Sequence, residues 1–343
     1  MNQVLYAGGS LPLCRNRLVR ASTLAICIMV GVCVAPSALA QSSISFNGLL
    51  DLSLGSIKSP GDERSQTNVS SGSMTTSWFG LRGAEDLGGG LSVIFQLESF
   101  IRADTGEQGR FAGDAFWSRN SFVGFSSTDW GRLTFGHHGT PLFVNSLRFN
   151  GVEGSFGYSP TIRHYFTSGT VTGDSVWSDS VVYTSPTVSG FTVGASTAMS
   201  EGDGGGNVGA NATFFKSGLG LGVAWQKVKK GIAVQDSETW QLSGSYDTGA
   251  FKLFAQTGRV KNTSTANHFD IHGLGVSVPF GAGRFFFQNS VLLNANGADR
   301  RTLTAGYAHF LSKRTDVYIV GMRDRLQNVS AGRSFSVGMR HRF

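Results

Sequence analysis

The last nine residues of the chain alternate between mostly apolar and polar side chains without interruption. The odd positions hold Phe335, Val337, Met339, His341 and Phe343, and the even positions hold Ser336, Gly338, Arg340 and Arg342. Side chains of a β-strand point alternately to its two faces, so this segment predicts a strand with one apolar and one polar face. The same period of two recurs from Gln41 onward, and no convincing segment shows the 3.6-residue period of a helix. The chain is therefore predicted to be all-β.

Sixteen strands of this kind can be placed along the sequence. They are predicted at 45–54, 76–85, 91–102, 116–127, 130–138, 179–186, 191–199, 208–216, 219–229, 238–247, 251–260, 268–278, 284–293, 301–311, 315–323 and 335–343. Short turns alternate with longer connections rich in Gly, Ser, Asn and Asp. This alternation of short and long connections is typical of transmembrane barrels with short periplasmic turns and long outer loops. We therefore predict one domain, residues 41–343, that forms a transmembrane antiparallel 16-stranded β-barrel.

The first 40 residues predict a cleaved secretory signal peptide. Three arginines precede the apolar segment 21–34, and Ala38-Leu39-Ala40 is a cleavage signal of the A-x-A type before Gln41. All three cysteines fall within this leader, so the exported domain can form neither a disulfide nor a thiolate metal site. Loss of the three leader arginines lowers the formal net charge from +7 to +4. That balance is too mild to suggest nucleic-acid binding.

The sequence carries little that points to catalysis. It contains neither a G-x-S-x-G nucleophile elbow nor an H-E-x-x-H zinc motif. His268 and His272 share one face of a predicted strand, but no third ligand accompanies them, so a solvated polar pair in the lumen is the better interpretation. We therefore expect no enzyme activity, no cofactor and no metal site.

Several stretches of the sequence resemble the trimeric general porins of Gram-negative bacteria, in the form found in Burkholderia-, Bordetella- and Neisseria-like organisms. The matching stretches are SSISFNGLLDLSL (42–54), SWFGLRGAEDLGGGLSVIFQLES (77–99), SRNSFVGFSSTDWGRLTFG (118–136), SVVYTSPTVSGFTVG (180–194), YAHFLSKRTDVYIVG (307–321) and the terminal FSVGMRHRF. They occur in the family's order and are spread over the whole mature chain.

The resemblance implies an outer-membrane porin that forms a homotrimer of sixteen-stranded barrels in a Gram-negative bacterium. It implies passive diffusion of small hydrophilic solutes and ions through a water-filled channel, and contact with outer-membrane lipid and lipopolysaccharide. It also implies that Phe343 is the terminal signal for barrel assembly. The third long loop, 139–178, is expected to fold inward and narrow the channel. At about 40 residues it far exceeds an ordinary connection.

The alternation and the resemblance together select candidate residues of the lumen and its constriction. They are Trp78, Arg82, Arg119 and Arg132 on the wall, and Arg148, Glu153, Arg163 and Asp174 on the inward loop. Leu81 should face lipid, so the neighbouring Arg82 is assigned to the lumen. A cation on the lipid face at mid-depth would cost about 2–4 kcal/mol. Phe122 is likewise assigned to lipid, which places Arg119 in the lumen.

In the resembled family, basic side chains on the wall face acidic side chains on the inward loop. Arg119 matches one of these wall positions, and Trp78 stands where relatives often have Arg. The hypothesis is that Arg82, Arg119 and Glu153 line the constriction and that a positive lumen gives weak anion selectivity. The alternative is that the arginines pair with nearby carboxylates and leave the channel neutral.

Two other classes of protein remain open at this point. An outer-membrane barrel enzyme would need a clustered Asp/His or Ser/His constellation near one rim. An adhesin or structural barrel would need a plugged lumen or a large extra domain.

Overall fold

The structure is a computed structural model that describes residues 42–169, 175–200, 206–229 and 236–343. The predicted leader, residues 1–40, and Asp174 lie outside the described residues. The strands are β1 (Ser43–Ile57), β2 (Gln66–Ser71), β3 (Trp78–Gly88), β4 (Leu91–Arg102), β5 (Glu107–Gln108), β6 (Asn120–Ser127), β7 (Gly131–Gly139), β8 (Val176–Thr184), β9 (Phe191–Ala198), β10 (Asn207–Lys216), β11 (Leu219–Val228), β12 (Ser237–Asp247), β13 (Lys252–Asn262), β14 (His268–Phe280), β15 (Gly283–Asn294), β16 (Arg300–Phe310), β17 (Thr315–Leu326) and β18 (Gly332–Arg342). The helices are α1 (Pro141–Arg148) and α2 (Pro160–Phe166).

The strands form one closed antiparallel sheet. Successive wall strands pair side by side, and β18 pairs with β1 from Leu49↔Arg342 to Ser56↔Phe335, which closes the ring. β2 and β3 lie along two different parts of β1, so together they make one wall strand. The two-residue β5 only extends the pairing at the end of β4. The wall is therefore a sixteen-stranded barrel, and the expected fold class is confirmed.

The two faces of the wall differ as the alternation predicts. Along β1, Leu52 and Leu54 are exposed on the outside, whereas Asp51 and Ser53 are buried on the inside. Asp51 accepts a hydrogen bond from the backbone amide of Met74 at 2.7 Å. Apolar side chains on the outside can be covered by hydrocarbon, while polar side chains on the inside find hydrogen-bond partners.

The long connection from β7 to β8 folds into the barrel and carries both helices. α1 contacts β9–β12, and α2 contacts β14–β16. Thr140 and Ser159 cap the two helices, accepting hydrogen bonds from the amides of Phe143 and Ile162 at 3.2 and 3.4 Å. A proline follows each cap, at a position where its missing N–H has no intrahelical partner to lose. No helix in the described ranges is long and apolar enough to cross a membrane.

Two glycines on the inner wall make room for the inward loop. Gly222 on β11 lies against the side chain of Phe149, and Gly273 on β14 lies against the side chain of Thr161. A Cβ atom at either position would collide with the loop. Glycine in a strand often marks such a close approach, and here it lets the loop rest directly on the sheet.

Candidate functional site

One side of the inward loop is fixed to the wall by buried polar contacts. Asn145 Nδ2 donates to Gln241 Oε1 at 2.8 Å, and Gln256 Nε2 donates to the carbonyl oxygens of Ser146 and Phe149 at 3.1 and 2.7 Å. All five residues are buried. Because a buried polar group must keep a hydrogen-bond partner, these contacts set the position of α1 against β12 and β13.

The turn between the two helices carries Glu153, whose carboxylate binds two wall arginines. It accepts hydrogen bonds from Arg284 of β15 and Arg340 of β18. The Arg340 side chain is completely buried, and its Nε also donates to Asp316 Oδ2 at 2.9 Å. Burial alone would raise the pKa of Glu153, but the charges of Arg340 and Arg284 outweigh burial, and the pKa is lowered. Glu153 is therefore a charged anchor of the loop.

A second ionic contact holds α2. Asp324 on β17 is buried and accepts hydrogen bonds from Arg163 Nη2 at 3.1 Å and from Arg300 Nε at 2.8 Å. His164, the next residue of the helix, bonds through Nε2 with Thr302 Oγ1 at 2.8 Å. Burial lowers the pKa of His164 to about 3, so its imidazole is neutral at neutral pH. Arg163 thus supports the loop from its buried side.

The other side of the loop borders an open gap. A cavity of about 280 Å³ lies between the loop, with Phe143, Leu147 and Phe156, and the wall, with Trp78 and Arg119. The rings of Phe143 and Phe156 have their centroids 5.6 Å apart and are only partly buried. Aromatic and aliphatic side chains therefore border much of the space between the loop and the facing wall.

Two arginines at this gap are each paired with a carboxylate. Arg119 binds the buried Glu98, and its guanidinium carbon lies 4.1 Å from the centroid of the Trp78 ring. Arg110 Nε lies 2.8 Å from Asp114 Oδ2. Burial alone would raise the pKa of Asp114, but hydrogen bonds from Arg110 outweigh burial, and the pKa is lowered. Neither guanidinium therefore presents an uncompensated charge to the gap.

Arg82 and Arg132 lie together, nearer the short-turn end of the barrel. They line one cavity of about 290 Å³ that also includes Gln96. Arg82 Nη2 donates to Asn47 Oδ1 at 2.9 Å. In the part of the chain that the structure describes, neither arginine forms an ion pair with a carboxylate. This pair is therefore a local positive charge on the inner wall.

The position of Phe122 corrects the assignment made from the sequence. Phe122 is paired in register with Gln96 on the inner face, and its ring stacks on His138 with centroids 4.7 Å apart. The assignment to lipid was wrong because it rested on the apolar ring of Phe122, whereas Val123 and Phe125 are the exposed outward residues of β6 and Phe122 alternates with them onto the inner face. Arg119 precedes β6, which begins at Asn120, so it reaches the inner face from irregular backbone and not through the alternation.

The structure also does not bring Glu153 together with Arg82 and Arg119, as the hypothesis expected. Its carboxylate binds Arg284 and Arg340, not Arg82 or Arg119. The sequence analysis did not select these two partners, although Arg340 lies on the polar face of the terminal strand. The sequence signal that could have identified this partner was an arginine on the predicted inner face of the terminal strand.

The remaining loop candidates lie apart from the gap. Arg148, the last residue of α1, is exposed and donates from Nη1 to Thr213 Oγ1 at 3.1 Å. Arg163 is the partner of Asp324 described above, and Asp174 falls outside the described ranges.

The terminal Phe343 completes the seam between the first and last strands. Its amide donates to the Gly48 carbonyl at 3.1 Å, and its own carbonyl accepts from the Gly48 amide at 3.2 Å. The rings of Phe343 and Phe46 lie 5.6 Å apart on the outside.

The described ranges contain no group of three His, Cys, Asp or Glu side chains that could hold a metal ion. The prediction that the histidine pair faces the lumen was wrong, because His268 and His272 alternate with the buried Ile271 and Gly273 and so lie on the outer face. There His272 Nδ1 lies 2.9 Å from Thr257 Oγ1.

Comparison with known proteins gives consistent matches. A family model described as Gram-negative porin matches residues 22–328. The chain is 27% identical over 299 residues to outer membrane porin protein 32 of Delftia acidovorans, covering 82% of this chain and 84% of that protein. It is 25% identical to an outer membrane porin protein of Bordetella pertussis, covering 95% of this chain and 100% of that protein.

Solved structures share the fold. An anion-selective porin from Comamonas acidovorans has a TM-score of 0.77 at 23% identity, covering 88% of this chain and 100% of the other. Salmonella typhi OmpF in complex with daunomycin has a TM-score of 0.67 at 16% identity, covering 88% of this chain and 97% of the other.

Proposed function

This chain belongs to the Gram-negative porin family, and on that premise we propose that its constriction lies between the inward loop and the facing strands β3, β4 and β6. The protein is a channel of the outer membrane and not an enzyme. The observation that carries the proposal is the one-sided seating of the loop. Buried contacts fix it to one part of the wall, while the gap lined by Trp78 and Phe156 stays open. A barrel of about sixteen strands leaves an aqueous lumen, so the loop is what narrows the path.

The channel has a weak preference for anions. Arg82, Arg132 and Arg148 bring positive charge without an ion-pair partner among the described residues, whereas Arg119 is neutralised by Glu98. Charged side chains along a pore attract one sign of ion and repel the other. The structurally similar porin from Comamonas acidovorans is described as anion-selective, which agrees with this sign.

Reversal potentials in a salt gradient test this selectivity. The double variant R82Q/R132Q should shift the reversal potential toward cations relative to the unchanged protein. R259Q removes an arginine that pairs with Asp270 on the outer face, and it should leave the potential unchanged. If the double variant behaves like R259Q, the inner-wall arginines do not set selectivity.

Residues 1–40 are removed on export, and three mature chains assemble in contact with outer-membrane lipid and lipopolysaccharide. The leader pattern supports export. The apolar side chains exposed on the outside of the wall, here called the outward apolar band, support contact with lipid, and Phe343 at the seam contributes to assembly. Native mass spectrometry of the purified protein should give three times the mass of a chain that begins at Gln41. A monomer, or a chain that keeps its leader, would contradict it.

A further inference from the structure

Four arginines lie close together on the outer face of three neighbouring strands, at the end of the barrel where the long loops connect the strands. This arginine patch consists of Arg301 on β16, Arg323 and Arg325 on β17, and Arg333 on β18. All four are exposed, whereas the residues that alternate with them, such as Thr302 and Asp324, are buried on the inner face. The patch therefore faces the surroundings of the barrel and not its lumen.

The register places these like charges directly opposite each other. Arg301 pairs with Arg325, and Arg323 pairs with Arg333. Lys58 exchanges two backbone hydrogen bonds with Arg333, at 3.1 and 2.9 Å, and brings a further cation to the edge of the patch. Like charges directly opposite in a sheet destabilise it. Within the described parts of the chain, no carboxylate forms an ion pair with any of the four guanidiniums.

Another outward arginine at the same end of the barrel is neutralised within the sheet. Arg259 on β13 lies opposite Asp270 on β14, with Nε 2.6 Å from Oδ1. An outward arginine of the described strands can thus be paired within the sheet, and the four arginines of the patch are not. Repulsion among four cations is offset most directly by an anion that comes from outside the chain.

The position of the patch indicates which anion. Leu303 lies beside Arg323 in the register, and Phe335 and Val337 follow on the same face toward the middle of the wall. The patch thus borders the outward apolar band, at the depth where lipid headgroups begin. Guanidinium groups bind phosphate with two parallel hydrogen bonds. At the depth of the headgroups, the favourable partner for an arginine is therefore an anionic lipid headgroup.

We propose that the arginine patch binds the phosphate groups of a phosphorylated glycolipid of the outer leaflet. The inference rests on the proposed contact with lipopolysaccharide and assigns it a site. None of the four guanidiniums has an ion-pair partner among the residues that the structure describes, so each can donate to phosphate oxygens, and the phosphate supplies the negative charge that a carboxylate would otherwise bring.

Titration of the purified channel in neutral detergent tests the site. The probe is lipid A, and the readout is the temperature at which the barrel unfolds. R323Q/R325Q should weaken the apparent affinity for lipid A roughly tenfold or more, because charge-assisted hydrogen bonds are lost. R259Q should bind as the unchanged protein does. Single-channel conductance should be the same in all three, so that a failure here is separate from a failure of the pore proposal.

Four outcomes would overturn the inference. Lipid A that binds R323Q/R325Q as well as the unchanged protein shows that the patch is not its site. If dephosphorylated lipid A binds the unchanged protein as tightly as lipid A does, phosphate is not recognised. If inorganic phosphate displaces lipid A at concentrations similar to those of lipid A itself, no lipid is required. A variant that dissociates into monomers without lipid shows that a neighbouring subunit supplies the missing carboxylates.

Discussion

At the scale of single residues, Trp78 determines what the gap presents on its wall side. Its ring covers the guanidinium of Arg119 at 4.1 Å, and Arg119 is at the same time bound to Glu98. A stacked and ion-paired arginine is held in one place and offers little free charge. We therefore expect the large indole, with Phe143 and Phe156 across the gap, to affect the size of the proposed constriction more than its electrostatic potential.

Replacing Trp78 by serine should widen the opening and raise the single-channel conductance. The change removes the largest wall side chain at the gap and leaves the contacts that fix the loop untouched. Trp130→Ser, at an exposed position of the short-turn end, is the matched control and should leave conductance unchanged. Equal conductance in both variants would show that the narrowest point lies elsewhere.

Glu153→Gln should weaken the anchoring of the loop. Removing one partner of a fully buried ion pair costs about 3–5 kcal/mol, and because the Glu153 side chain is 35% exposed we expect about 1–2 kcal/mol here. The variant channel should close at a lower applied voltage. Glu63→Gln, at an exposed loop position, should close at the same voltage as the unchanged protein.

The same anchor predicts a pH dependence. The pKa of Glu153 is lowered from its ordinary value of 4.5, so the charged form is the one that the fold stabilises. The anchoring should be complete above pH 4.5 and be lost only as the pH falls further, through the lowered pKa. The closing voltage of the unchanged protein should fall in that acid range, while that of Glu153→Gln should not respond there. A parallel response of both proteins would remove Glu153 from this account.

At the scale of elements, the strands could be predicted and the loop contacts could not. The strand predicted at 251–260 is observed at Lys252–Asn262, because a wall between hydrocarbon and water requires alternation at every rung. The error of phase at Phe122 arose because its apolar ring was taken to face lipid, whereas Val123 and Phe125 are the outward residues of β6. The loop has no such period. Its contacts with Arg284 and Arg340 depend on residues far apart in sequence that meet only when the barrel closes.

The packing of α2 on the wall gives a prediction at this scale. Gly273→Ala places a methyl group into the side chain of Thr161 and should destabilise the seated loop by about 1–3 kcal/mol. Thermal unfolding and the noise of the open-channel current would report it. Gly244→Ala, where the nearest atom to an added Cβ is 3.8 Å away, is the control. Identical behaviour of the two variants would contradict the close approach of loop and strand.

At the scale of the whole molecule, closure explains how a wall of hydrogen-bonded strands survives in lipid. β18 pairs with β1, and Phe343 exchanges two backbone hydrogen bonds with Gly48, so the wall strands leave no open edge to lipid. Closure also collects the polar faces of all strands around one space, in which the loop finds its buried partners. The channel is a consequence of this two-faced ring.

Cysteine accessibility in a planar bilayer tests the two-faced ring most directly, since the sequence after the predicted leader has no cysteine of its own. Single cysteines are placed at neighbouring positions, Arg82 and Arg132 for the inner face and Leu81 and Leu133 for the outer face. A charged, water-soluble thiol reagent should react at the two inner positions and change the current in steps, and it should leave the two outer positions unmodified. Equal reaction at inner and outer neighbours, or no change of current at the inner positions, would contradict the account.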